Sequence, residues 1–310
     1  MTPNNGFGFM IDGNNIFMKQ ARHLLEFYFV YILVKFLQIL PLKTSSNILG
    51  ILGKYILLFV GTFTGDNKKG IRQIGFVFPK MSEEGRRKIL ISSYENIGRF
   101  IAEYINQSKM TENWFKKNVE IVNGEYFLDM MSKGSFAITA HFGNWEVMQR
   151  FLTLNGKDLS VIYNPIQNPY INKLYLKQRN VSQLPKGTSA MKQLIELIKD
   201  KKNVGVVADQ RDKSGEVYQF FEKDAKTSTA IQRLSVKYNY PIFCVKCDRK
   251  LENPNKFTLT VYPALKTEKE NQNEAVKDLT EQSLRVIESW IYERPENWLL
   301  WFYSRWRIHL

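Results

Sequence analysis

Apolar positions crowd the first sixty residues and then give way to a regular alternation of short apolar runs with amphipathic stretches. Leu24 to Leu40 is apolar apart from Glu26, Lys35 and Gln38, a helix approaching the roughly 20 residues a membrane span needs but broken by two charges. After Pro41, the stretch Ile48 to Val60 contains Lys54 and, being shorter, suits an interfacial or packed helix. Together they predict an N-terminal apolar helical membrane-attachment region; a pair of core helices in a soluble protein is the alternative. No small-x-small cleavage site follows, which speaks against a cleaved signal peptide. The polar stretch Thr64 to Gly70 predicts a hinge, which divides the chain into 1–65, for attachment, and a second region, 66–310.

Between Ser82 and Gln107, the residues Leu90, Tyr94, Ile97, Ile101 and Tyr104 recur at spacings of three and four, one stripe of an amphipathic helix. Beyond it lie four strand candidates: Phe136–Ala140, Leu159–Tyr163, Val204–Ala208 and Pro241–Val245. Helical patterns such as Met191 to Lys201 and Thr229 to Tyr238 separate them. This rhythm predicts an α/β fold with a mixed, mostly parallel central sheet flanked by helices. Near-continuous apolar strands suit a sheet buried on both faces, and in such sheets sites lie at the carboxyl ends of the strands. Lys266 to Lys277 reads as an exposed connection into a last helix.

Lys and Arg total 44 against 30 Asp and Glu, a net charge of +14, which calls for an anionic partner such as nucleic acid, a membrane surface or a phosphorylated substrate. No nucleic-acid-binding module interleaves aromatic and basic residues along the chain, and the apolar N-terminal region argues against that class. With Cys244 and Cys247 as the whole cysteine complement, no disulfide framework exists. Three residues apart on a strand they face opposite ways, which disfavours a metal pair.

The chemistry concentrates in His141-Phe142-Gly143-Asn144-Trp145-Glu146, directly after the first strand candidate. The imidazole then stands at a strand's carboxyl end. Gly143 permits a tight turn or close substrate approach, and Asn144 suits the cap of a helix beginning at Trp145. From the first helical turn Glu146 can reach back to orient the ring, so that His141 takes a proton from a substrate hydroxyl acting as nucleophile. A histidine capping a helix beside a surface glutamate is the plainer alternative.

The run from His141 to Glu146 resembles the signature of the bacterial lipid A biosynthesis acyltransferases, the lauroyl and myristoyl transferase family within the lysophospholipid acyltransferase superfamily. Further segments match in order: Tyr163 to Tyr170 with its Asn-Pro repeats, Val207-Ala208-Asp209-Gln210, Phe220 to Thr229 with Tyr240-Pro241-Ile242, and Pro295 to Trp301. Two features depart from the family pattern. Tyr163 and Asn164 stand where an arginine usually precedes the Asn-Pro segment, and Val181 to Gly187 lacks an Arg-Gly feature.

The resemblance implies transfer of a fatty acyl group from acyl carrier protein thioester to a hydroxyl of a lipid A precursor, at the bacterial inner membrane with the catalytic region facing the cytoplasm. His141 is then the general base, Glu146 its partner, and backbone N–H groups of Gly143 to Trp145 the oxyanion donors. No metal or organic cofactor is implied. Acylation of another glycolipid, such as a phosphatidylinositol mannoside, from acyl-CoA is the alternative within the family, and a non-catalytic lipid-binding relative a third reading. The substrate-binding set is Gly143, Asn144, Asn164, Asp209, Gln210, Arg211 and Lys213. Asp209 and Gln210 close a buried strand on the side of His141 and suit the acceptor pocket, unless Asp209 only forms a turn. Lys177 to Lys213 holds nine basic residues against four acidic ones, with Arg211 and Lys213 best placed for a phosphate. Trp298, Trp301, Phe302 and Trp306, interleaved with Arg305 and Arg307, suit either a membrane interface or packing of the chain's end against the domain.

Overall fold

The computed structural model describes residues 8–306 apart from 180, 188 and 189. Five helices lead: α1 (Gly8–Ile39), α2 (Leu42–Thr64), α3 (Asp66–Val77), α4 (Glu83–Ile105) and α5 (Glu112–Asn118). Then follow β1 (Val119–Val122), α6 (Gly124–Lys133), β2 (Phe136–Thr139), α7 (Trp145–Leu154), β3 (Ser160–Tyr163), α8 (Pro169–Gln178), β4 (Ser182–Pro185), α9 (Ala190–Lys199) and β5 (Val204–Val207). The chain continues through β6 (Glu216–Phe220), β7 (Lys223–Thr227), α10 (Ala230–Tyr238), β8 (Ile242–Arg249), β9 (Phe257–Val261) and α11 (Gln272–Glu293).

All four predicted strands form, and they lie in one sheet of order β1-β9-β8-β2-β5-β3-β4. Every neighbouring pair is parallel except β8 with β9. Strand β2 sits inside the sheet with all four residues buried, as its unbroken apolar run demands. Its Thr139 pairs in register with Val207 of β5. The polar alternation of β6 and β7 hides them from an apolar-run search; they form a separate antiparallel hairpin closed by Phe221 and Glu222, both at positive φ. That pair of left-handed residues makes the tight turn that matches strand twist.

The amphipathic stripe becomes α4, begun at Ser82, whose side chain accepts the Gly85 N–H. Leu90, Tyr94 and Tyr104 are buried, whereas Ile101 is 48% exposed. Helix α2 lies along α4 at backbone contact: a Cβ on Gly98 would stand 1.9 Å from the Leu49 carbonyl oxygen, and one on Gly53 2.8 Å from the Gly98 Cα. The two apolar N-terminal stretches exchange the parts their composition predicts. It is α2, extended to 23 residues, that is long and apolar enough to cross a membrane among the described residues. The longer α1 carries Glu26 and Lys35 in its apolar middle and does not meet that measure.

Both helices turn large apolar side chains outward. Leu25, Phe29, Ile32, Phe36 and Ile39 of α1, with Ile51, Tyr55, Phe59 and Phe63 of α2, are each more than half exposed. An exposed apolar surface of this kind marks an interaction or membrane face. The Thr64 to Gly70 stretch forms a corner: Gly65 adopts the left-handed conformation at φ 78°, α3 begins at the next residue, and the Thr64 hydroxyl donates to Asp66 at 2.8 Å.

Candidate active site

Strands β2 and β5 are adjacent and parallel, and His141 and Asp209 each lie two residues beyond the register pair Thr139 and Val207. The two side chains therefore arrive level at the carboxyl edge of the sheet. The His141 Nδ1 lies 2.7 Å from Asp209 Oδ1, and the His141 backbone N–H donates to Oδ2 at 2.9 Å. A third donor comes from the far end of the chain, where the Trp298 indole N–H reaches Oδ2 at 2.7 Å. Asp209 is fully buried, and the imidazole is 20% exposed. Burial alone would raise the Asp209 carboxyl, but the facing His141, its hydrogen bonds and the indole hold it below the ordinary carboxylate range. The ring of Trp145 meets His141 edge-on, with centroids 4.8 Å apart, and is itself stacked on Phe100 at 4.1 Å.

The residue expected to orient His141, Glu146, is engaged elsewhere. Its carboxylate receives the Arg179 Nε at 3.1 Å, a second short contact from Arg179 Nη2, and the Gln107 amide at 2.9 Å. Glu146 is fully buried, and no hydrogen bond joins it to His141. The pairing of His141 with Glu146 is thus corrected to His141 with Asp209. Burial lowers the Arg179 guanidinium, yet the Glu146 carboxylate outweighs it and raises the group above its usual value. Arg179 also lies over the rings of Tyr104 and Tyr175, at 5.4 and 4.9 Å.

Gly143 and Asn144 both make close contacts within the protein's own framework. Gly143 is buried at φ 56°, and a Cβ there would stand 1.9 Å from the Cys247 carbonyl oxygen; the glycine permits a close approach of the protein's own backbone. Asn144 caps α7 as predicted, accepting the Glu146 N–H at 3.1 Å, while its amide donates to Glu103 at 2.7 Å. Its side chain is fully buried. Glu103 in turn takes both Arg249 Nη groups at 2.7 Å and the Ser46 hydroxyl at 2.8 Å. One buried ion pair therefore locks α2, α4, β8 and the His141 loop together.

The expected oxyanion donors are also largely engaged. The Gly143 N–H donates to the Asn297 carbonyl at 2.8 Å, and the Asn144 N–H to the Cys247 carbonyl at 3.2 Å.

Asn164 is exposed just beyond β3, on the same sheet edge as His141. Asn168, four residues on, caps α8 and ties it to α1 through the His23 carbonyl at 2.8 Å and Glu26 at 3.0 Å. Gln210 Nε2 lies 3.5 Å from His141 Nε2. Arg211 is half-buried and Lys213 exposed on the loop after β5. Neither the Arg211 guanidinium nor the Lys213 ammonium has a hydrogen-bond or ion-pair partner among the described residues.

The C-terminal aromatics pack inward. Trp298, Trp301 and Trp306 are buried, as is Arg305; Arg307 lies outside the described residues. Leu299 N–H donates to the His141 carbonyl at 2.8 Å, so the C-terminal segment braces the His141 loop. The sequence reading passed over Trp298 as an Asp209 partner, and Arg179, Gln107 and Glu103 as site supports. Arg179 stood within the basic run, and its signal, a buried arginine among aromatics, needs the fold to be seen.

An imidazole held by a buried carboxylate at the carboxyl ends of two parallel strands, with its other nitrogen facing no carboxylate, is equipment for activating a hydroxyl. The chain belongs to the bacterial lipid A biosynthesis acyltransferase family, whose sequence model matches residues 14–308. The family indicates a lipid A acyltransferase acting on a lipid A precursor. With the outward apolar faces of α1 and α2, it also suggests membrane association. Comparison with curated proteins returns no match.

Proposed function

We propose that the protein transfers a fatty acyl group from acyl carrier protein thioester to a hydroxyl of a lipid A precursor, with His141 as general base. The observation that carries this is the 2.7 Å contact of His141 Nδ1 with buried Asp209. It keeps the proton on Nδ1 and leaves Nε2 as the acceptor for the hydroxyl proton. The hydroxyl oxygen then attacks the thioester carbonyl carbon. On collapse the C–S bond breaks and His141 returns the proton to the leaving sulfur, so the products are ester and thiol. Glu146 serves by fixing Arg179 and the start of α7. Residues 1–65 attach the enzyme to the inner membrane, with residues 66–310 on the cytoplasmic side.

The test is direct: purified protein, lipid A precursor and either acyl carrier protein thioester or acyl-CoA, read by mass spectrometry. A mass gain of one acyl chain with the carrier thioester supports the reading. Gain only with acyl-CoA moves the donor assignment, and no gain with either rejects the activity.

The anionic donor and acceptor both suit a chain of charge +14. Arg211 and Lys213, unpaired beside the site, are proposed to meet an acceptor phosphate. Raising salt from 50 to 500 mM should then increase KM more than it lowers kcat, since exposed charges are screened. Arg211→Ala and Lys213→Ala should each raise KM about tenfold, the scale of one charge-assisted hydrogen bond, with kcat little changed. A salt-insensitive KM that both variants share with wild type would remove these residues from substrate binding.

A further inference from the structure

A thioester carbonyl under attack gathers negative charge on its oxygen, and a site that accelerates the step aims a hydrogen-bond donor at that oxygen. Of the backbone donors nearest His141, its own N–H is bound to Asp209, that of Phe142 to the Ala140 carbonyl, and those of Gly143 and Asn144 to Asn297 and Cys247. The side-chain amide of Asn144 is held by Glu103, and the Trp298 indole by Asp209. The Trp145 N–H at the start of α7 has no hydrogen-bond partner among the described residues either, and beside the reactive nitrogen itself one side-chain amide remains uncommitted.

That donor is Gln210. It follows Asp209 directly, so the strand that delivers the orienting carboxylate also delivers the amide. Its Nε2 stands 3.5 Å from His141 Nε2, a contact too long to hold the group firmly. Among the described residues it has no other side-chain hydrogen bond, and it is only partly buried. A hydroxyl placed to give its proton to His141 Nε2 puts the attacked carbonyl about 3 Å further on, within the sweep of this amide.

We infer that Gln210 is a catalytic residue whose Nε2–H donates to the carbonyl oxygen of the acyl donor as that oxygen becomes an oxyanion. The arriving hydroxyl displaces the amide from His141 Nε2, and the freed N–H turns to the carbonyl oxygen. As the nucleophile's oxygen adds, the carbonyl π pair moves to that oxygen and is held there; when it returns, the C–S bond breaks and the sulfur takes the proton from His141. Gln210 gives and receives no proton. The inference rests on the acyl transfer proposed above, with either thioester as donor.

The test compares Gln210→Met, which keeps length and lacks a donor, with Gln210→Ala and wild type, on the full chain with carrier thioester and lipid A precursor. Both variants should lose about 10²-fold in kcat, the scale for one oxyanion donor, while KM stays within twofold. The pH midpoint of kcat should not move, because His141 and Asp209 are untouched. A residue that merely steadied the imidazole would shift that midpoint instead. The inference is overturned by a kcat within threefold of wild type in either variant, which would point to the Trp145 N–H, or by a loss accompanied by a displaced midpoint. Absence of turnover in wild type with both thioesters rejects the acyl transfer reading itself, and this inference with it.

Discussion

Asp209→Asn is expected to lower kcat by roughly 10³-fold or more while leaving the protein folded, and His141→Ala to do the same by at least about 10²-fold. The asparagine variant is the sharper of the two because the structure dictates how its amide will sit. Two N–H donors, from His141 and Trp298, converge on Oδ2. The amide oxygen must occupy that position, which turns the NH2 toward His141 Nδ1. Nδ1 then becomes the acceptor, the ring proton moves to Nε2, and the nitrogen that should take the hydroxyl proton already carries one. Near wild-type turnover in folded Asp209→Asn would show that the pair does not orient the base.

The pH response follows from the same contacts. Because the Asp209 carboxyl is held below its ordinary value, its contribution to stability is fully present above the ordinary carboxylate range. It is lost as pH falls through the folded-state value. Asp209→Asn should therefore flatten that part of the acid limb of an unfolding profile.

Glu146→Ala carries the second large effect, and it falls on stability. The substitution leaves the Arg179 guanidinium, 6% exposed, without its counter-charge, and breaking one side of a buried pair typically costs about 3–5 kcal/mol. Denaturant unfolding should record that loss, and Glu146→Ala combined with Arg179→Met should recover much of it by removing the stranded charge. If Glu146→Ala instead unfolds like wild type and loses acyl transfer, the carboxylate acts in the chemistry and not as the anchor of Arg179.

Much of this protein was legible along the chain. Local periodicity reports which face of an element is buried, so the stripe of α4, the apolar runs of β2, β3, β5 and β8, and the cap at Asn144 were readable without a fold. A histidine placed just after a buried strand was readable for the same reason, because the sheet edge is where such a residue emerges. The hairpin β6–β7 and strands β1, β4 and β9 were not, because a strand buried on one face or at an edge carries no continuous apolar run.

What the tertiary structure decided is partnership. His141 lies five residues from Glu146 and 68 from Asp209, yet the sheet order β2-β5 and their shared register bring the distant carboxylate to the ring and leave the near one to Arg179. Strand adjacency is set by packing of the whole sheet, which no local spacing encodes. Likewise Trp298, aromatic enough for a membrane interface, was drawn inside because a buried carboxylate needs donors, and the end of the chain supplied one. The amino-acid sequence determined which groups the site could draw on; the three-dimensional arrangement decided which lone pairs and protons were already engaged, and so which remained for chemistry.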